Sequence, residues 1–248
     1  ANNYFYLKLN WQVWRFHLQN IFTELGVNPP NASGGTAITR KYMAAHHLSF
    51  NITPNLNVGL FEAVIFSRNN RFALQYLNPV ILYRTIEQAV GSPDNVLLGF
   101  DAKWNFLRRF QLYGQVIFDE FVFDELFREP NGWWANKFGI QGGLKYIDAF
   151  GLDHLDLQAE VNLARPYLFS YTNESAVYNH IHQPLAHPLG ANFREVIFTG
   201  RYQATKKILL EGRLLRATFG EDANGTNWGG DLNLSYDTRE QDFGNEIA

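Results

Sequence analysis

The chain contains no cysteine. Disulfides and thiolate metal sites are therefore excluded, which suits an exported protein that does not depend on oxidation. No stretch of about eighteen consecutive apolar residues occurs, so a helical membrane span is excluded as well. Charged residues make up only 18%, and the formal net charge of -3 gives no signal for nucleic acid. No phosphate-binding loop, dinucleotide fingerprint or G-x-S-x-G turn is present. No secretory signal follows Ala1, so an exported barrel read here is expected to be a mature or partial chain. Yet aromatic residues reach 16%, and that hydrophobicity has to be placed somewhere.

It is hidden in alternation. Over 95–106, Val96, Leu98, Phe100, Ala102, Trp104 and Phe106 fall on one side of an extended chain, while Gly99, Asp101, Lys103 and Asn105 fall on the other. The same period runs through 155–163, where Leu155, Leu157, Ala159, Val161 and Leu163 alternate with Asp156, Gln158, Glu160 and Asn162. Segments of about ten residues with one apolar and one polar face are what a tilted strand needs to cross a bilayer.

The pattern predicts strands at 42–52, 56–66, 96–106, 111–119, 137–146, 155–163, 193–203, 208–219 and 228–236. Their connections alternate in length. Short ones lie at 53–55, 107–110, 147–154 and 204–207; long ones lie at 67–95, 120–136, 164–192 and 220–227. Tight turns at one end and large loops at the other match an outer-membrane barrel, with periplasmic turns and extracellular loops. A soluble sandwich has no reason to keep that parity.

At the amino end, 4–22 is strand-like, but its apolar phase flips near Val13 and Trp14, from Phe5, Leu7, Leu9 and Trp11 to Trp14, Phe16 and Leu18. A bulge within one strand explains the flip. A Gly/Pro/Asn loop at 26–35 follows, and the far end, 237–248, is polar and turn-like. The chain thus reads as all-β, one transmembrane antiparallel barrel domain over 1–248 with about ten strands. Because an open edge in lipid leaves backbone groups unsatisfied, further strands of a larger barrel are expected outside the sequence.

Several residues carry candidate chemistry. Glu62 interrupts the face of Leu56, Val58, Leu60, Val64 and Phe66, and is expected to meet an arginine, Arg68 or Arg84, in a lumenal salt bridge or a ligand contact. Connection 67–95 is too long to be passive, and its apolar residues from Leu77 to Val90 predict a short helix or a folded-in plug. Asp119 and Glu120 join Glu62, Arg68 and Arg84 as candidate lumen or plug contacts. In 120–136, Trp133 and Trp134 stand near Asp124 and Arg128; aromatic faces stack on sugar rings while charged groups bond hydroxyls, so these are candidate glycan-binding residues, with Tyr171 and Tyr178 of the next long connection. An interfacial aromatic girdle is the competing reading for the two tryptophans.

Connection 164–192 holds His180, His182 and His187, but no carboxylate sits inside that cluster, so hydrogen-bonding histidines of a surface loop outweigh a metal site. Outer-membrane lipid hydrolases carry a pair similar to His47-Leu48-Ser49. Here Tyr42, Ala44, Leu48, Phe50 and Ile52 form the apolar face, so His47, Ser49 and Asn51 face the polar side, away from lipid esters. No catalysis and no cofactor are expected.

Longer blocks carry a resemblance. His46-His47-Leu48, Gly59-Leu60-Phe61-Glu62-Ala63-Val64, Gln75-Tyr76-Leu77-Asn78-Pro79, Gly91-Ser92-Pro93-Asp94-Asn95, Tyr113-Gly114-Gln115 and Phe118-Asp119-Glu120 resemble the capsule-assembly Wzi-like family of outer-membrane proteins. Asn136-Lys137-Phe138-Gly139, Arg165-Pro166-Tyr167 and the run from Leu185 to Phe193 are similar to its branch in gliding bacteria. The resemblance covers most of residues 40–200. It implies a larger barrel in the bacterial outer membrane that holds capsular polysaccharide at the cell surface. Outer-membrane lipid and surface polysaccharide are then the expected partners, with no nucleic acid. Two alternatives stay open: an accessory subunit of a secretion or gliding-motility complex acting through protein contacts, and a pore.

Overall fold

The computed structural model describes residues 3–27, 39–68, 71–78, 94–119 and 132–248. Ten strands form one antiparallel sheet: β1 (Phe5–Val13), β2 (Phe16–Val27), β3 (Thr39–Thr53), β4 (Leu56–Phe66), β5 (Asn95–Phe106), β6 (Phe110–Asp119), β7 (Lys137–Tyr146), β8 (Leu155–Ala164), β11 (Phe193–Thr205) and β12 (Ile208–Phe219). Between β8 and β11 lies a two-residue ladder, β9 (Asn179–His180) with β10 (Gln183–Pro184). Each long strand pairs with its neighbours in chain order, and the sheet is open, with β1 and β12 at its edges. Among the described residues the helical turns are all short 3-10 turns, and none is long and apolar enough to cross a membrane.

Two expected elements are corrected. Residues 4–22 are not one bulged strand: β1 and β2 form a hairpin whose register runs from Phe5 opposite Glu24 to Val13 opposite Phe16. The phase flip at Val13 and Trp14 is a chain reversal, made by Trp14 at a φ of 54°. Neither Trp14 nor Arg15 is a usual turn former, so the sequence carried no warning of it. At the other end, 228–236 is not a strand. Asp222 accepts backbone N–H bonds from Trp228, Gly230 and Asp231, and Gly229 takes a φ of 75°, so the segment is held as turns and leaves the β12 edge uncovered. With the hairpin added, short connections still fall at one end of the sheet and long ones at the other.

The register sorts side chains onto two faces. Phe100 lies between Leu60 and Val116, and beyond them come Ile140 and Leu48; Asp101 lies between Gly59 and Gln115, and beyond them Gln141 and Ser49. On the apolar face, every one of the ten strands exposes a large hydrophobic side chain: Leu7, Phe16, Leu48, Leu60, Phe100, Leu112, Ile140, Val161, Phe198 and Leu214. Near the short turns an aromatic row crosses the same face. Trp104 stacks on Phe106 at 4.7 Å, Phe106 on Phe110 at 5.5 Å, and Phe110 on Tyr146 at 4.4 Å between ring centres.

The polar face divides into halves. Toward the long connections it turns apolar, with Leu25, Met43, Ile65, Leu97 and Phe193 gathered in one core around Leu168 and Phe169 of the inserted segment 165–192. Toward the short turns it stays polar. The sheet curls around this face. Phe61 of β4 and Phe193 of β11, five ladder intervals apart in the sheet, line one cavity of about 250 Å³ together with Leu168 and Phe169.

Candidate functional site

The inserted segment 165–192 is fastened to the sheet by buried polar groups. Lys41 of β3 is fully buried, and its ammonium donates to the carbonyls of Val177 at 2.8 Å and Glu174 at 3.2 Å and to the Asn179 side chain. Asn95 of β5 donates to Ala176 O at 3.1 Å. Asp119 of β6 accepts the N–H of Phe169 at 3.0 Å and lies 3.8 Å from the ammonium of Lys137 on β7, both side chains fully buried. An unpaired charge at either site would be costly, so these groups fix where the segment sits.

The long-connection half of the polar face is thus filled by 165–192. The short helix or plug expected from Leu77 to Val90 lies, beyond Asn78, outside the described residues. Of connection 67–95, the 3-10 turn Leu74–Leu77 lies on the apolar face, where Tyr76 packs with Tyr42, Val64 and Phe66. Residues 79–93, with Arg84, lie outside the described residues. Arg68 forks onto Asp94, which also accepts the Tyr76 hydroxyl at 2.6 Å. Glu62 is therefore not tied to Arg68: its described partner is His46, whose Nε2 stands 2.7 Å away. Both sit on the apolar face beside Asn20, a fully buried amide with no hydrogen-bond partner among the described residues. Glu62 is thus a buried polar group on the apolar side and not a contact of the polar lumen-type face.

The histidines of 165–192 separate rather than cluster. His180 Nδ1 accepts the N–H of Gly26 at 3.0 Å, His182 Nε2 lies 2.9 Å from Glu174, and His187 Nε2 lies 3.0 Å from Glu195. The segment is not the surface loop expected, because its apolar side chains cover the apolar half of the curled face. Burial, and then the nearby Lys41, hold the His180 pKa below its ordinary value. A group with a lowered folded pKa stabilises the fold above its unfolded pKa and loses that contribution as pH falls. Acidification below about 6.5 is therefore expected to loosen the segment, seen as new protease nicking within 165–192. Nicking that does not change with pH, or that increases toward high pH, contradicts this.

The short-turn half of the polar face holds a cleft formed by two adjoining cavities of about 400 and 620 Å³ that share Gln19, His47 and Lys103. Its walls cross-link through hydrogen bonds. His47 on β3 reaches over β4 to Asp101 on β5 at 2.7 Å, and Gly59 lies between them because a Cβ there would overlap both groups. The device recurs across the sheet: Tyr113 on β6 lies over Gly143 on β7 and donates to Glu160 on β8 at 2.5 Å. Gln141, Gln158 and Asn162 also donate to Glu160, so this carboxylate carries four donors. Ser49 faces this cleft while His47 is engaged by Asp101, and Asn51 bonds His17 at 3.2 Å.

The loop aromatics gather away from the cleft. Trp134 is half-buried, with the Tyr236 ring 4.8 Å from its own and the Arg239 guanidinium 4.3 Å over its face. Trp133 lies 6.2 Å from Trp134, and Tyr171 stands edge-on to Tyr236 at 5.8 Å. Tyr178 instead stacks on Phe169 inside the covered half, where burial and then Tyr4 push its phenol up to about 12. Glu120, Asp124 and Arg128 lie outside the described residues. The sequence reading singled out Trp133, Trp134 and Tyr171 but missed the cleft, whose signal was the run of amides at polar-face positions such as Gln19, Asn51, Asn57, Gln115, Gln141 and Gln158.

No protein-family model, curated protein or solved structure matches the chain.

Proposed function

We propose that this chain is the wall of an outer-membrane β-barrel that binds or organises surface polysaccharide and does no covalent chemistry. The observation that carries the membrane part is the apolar face, where each of ten successive strands exposes a large hydrophobic side chain. An apolar surface of that extent greatly exceeds what a soluble monomer leaves open, and the aromatic row at its short-turn rim suits a membrane interface. The polysaccharide part is supported by a cleft of amides and mixed charges, by the clustered aromatics at the long-connection end, and by the Wzi-like resemblance. In that orientation the long connections face outward from the cell. The filled half of the polar face argues against a simple pore.

The accessory-subunit reading has its own support. Strands β1 and β12 expose apolar side chains on both faces and have an unpaired edge each, which suits the addition of a strand from another chain.

The test is retention of surface polysaccharide, extracted from the cells that make the protein, by the protein purified in detergent. Retention by the wild type is expected, and Trp133→Ala is expected to weaken it by about 0.5–1.5 kcal/mol. Because Trp134 is packed by Tyr236 and Arg239, Trp134→Ala is expected to lower stability as well. Failure of the wild type to retain polysaccharide, with stable co-purification of another outer-membrane protein, moves the balance to the accessory subunit.

A further inference from the structure

Phe61 occupies an unusual position for an apolar ring. It points to the polar face from the middle of β4, directly opposite Gly99 of β5. A Cβ at Gly99 would overlap the far edge of the ring, so the ring lies flat over the glycine and against the wall. It is only half-buried, and it borders both the cavity under the inserted segment and the polar cleft of about 400 Å³. Around it stand Gln19, Gln115 and Gln141, with Asp101 and Lys103 at the rim. No hydrogen bond of the Gln115 or Lys103 side chain is formed within the described protein. The cleft therefore offers an apolar ring face beside donors and acceptors in near-balance of charge.

We propose that the Phe61 ring is a stacking platform for a neutral sugar unit, whose hydroxyls are bonded by Gln19, Gln115 and Gln141. Pyranose rings present an apolar C–H face and a rim of hydroxyls that donate and accept, and amides answer both roles. An acidic sugar would want an excess of cations, and Lys103 is balanced here by Asp101. This proposal rests on the polysaccharide reading above and moves its principal contact from the loop tryptophans to the cleft.

The same retention assay separates the two. Phe61→Leu keeps an apolar side chain under the inserted segment but removes the ring, and is expected to weaken retention about tenfold. Gly99→Ala, which pushes the ring off the wall, should do the same, while Phe61→Tyr should stay close to wild type. All three should keep the wild-type shift on unheated gels that marks a folded barrel. Retention should change little with about 0.5 M salt, since a neutral ligand has no charge to screen. Normal retention by Phe61→Leu and Gly99→Ala, with loss in Trp133→Ala, overturns the platform and leaves the polysaccharide reading standing. Steep salt dependence overturns the neutral sugar. A wild-type protein that retains nothing overturns the underlying reading itself.

Discussion

Arginine placed at Phe100 is expected to destabilise the protein in lipid by roughly 2–4 kcal/mol, whereas arginine at Asp101 should cost far less. The two positions are adjacent in sequence and opposite in face. Phe100 is 46% exposed in the middle of β5, flanked by Leu60 and Val116, and the one carboxylate diagonal to it, Glu62, is buried against His46. Asp101 lies in the polar cleft, opposite Gly59 and Gln115. Replacing it breaks the contact with His47, but that pair is about a third exposed on the histidine side and is worth no more than about 1 kcal/mol. Urea unfolding in lipid vesicles measures both. Equal costs would show that the apolar face does not meet lipid, and a stable monomer in plain buffer would remove the membrane from the reading altogether.

The alternation behind that prediction was legible because both faces of the central strands are decided by solvent type alone. Each residue from Leu98 to Phe106 needs only its own polarity to be placed, and the register observed for β5 agrees. Parity of the connections was legible for the same reason, since turn length is counted directly. The hairpin at Trp14 was hidden because its reversal uses a tryptophan and an arginine instead of the Gly, Asn or Asp that normally mark such turns. The residues at 228–236 misled in the other direction: W-G-G-D-L-N-L-S-Y alternates like a strand, but its glycines and the Asp222 cap satisfy the backbone locally.

The inserted segment was illegible from its own composition. Residues 165–192 carry prolines, asparagines and histidines without a period, the usual look of an exposed loop. The signal lay in the strands it covers. At their long-connection ends the alternation fails and apolar residues run on consecutively, as in Ala63, Val64, Ile65 and Phe66 of β4 or Val96, Leu97 and Leu98 of β5. A strand that is apolar on both sides is covered on both sides. Here the covers are 165–192 on one face and the turn at Leu74–Leu77 on the other. The buried lysines gave no such hint, because Lys41 and Lys137 occupy ordinary polar positions of the alternation. Only the segment above them turns those positions into interior ones.

Asp119→Ala is expected to cost about 3–5 kcal/mol, because it removes one partner of a buried ion pair and leaves the other in place. Asp119 and Lys137 are both fully buried, 3.8 Å apart, and the loss is compounded at the inserted segment, since the same carboxylate accepts the Phe169 N–H. The ammonium keeps its place 4.4 Å from the Tyr236 ring and 3.5 Å from Ser170 O. The damage should appear first as protease cleavage within 165–192, ahead of any loss of the sheet. The double change Asp119→Leu with Lys137→Met removes both charges and should recover much of the stability, as buried pairs exchanged for apolar side chains commonly do. If the single variant costs less than about 1 kcal/mol, or the double variant is worse than the single, the pair is not buried beneath the segment. The polar face would then be open along its whole length, and the pore reading would regain its footing.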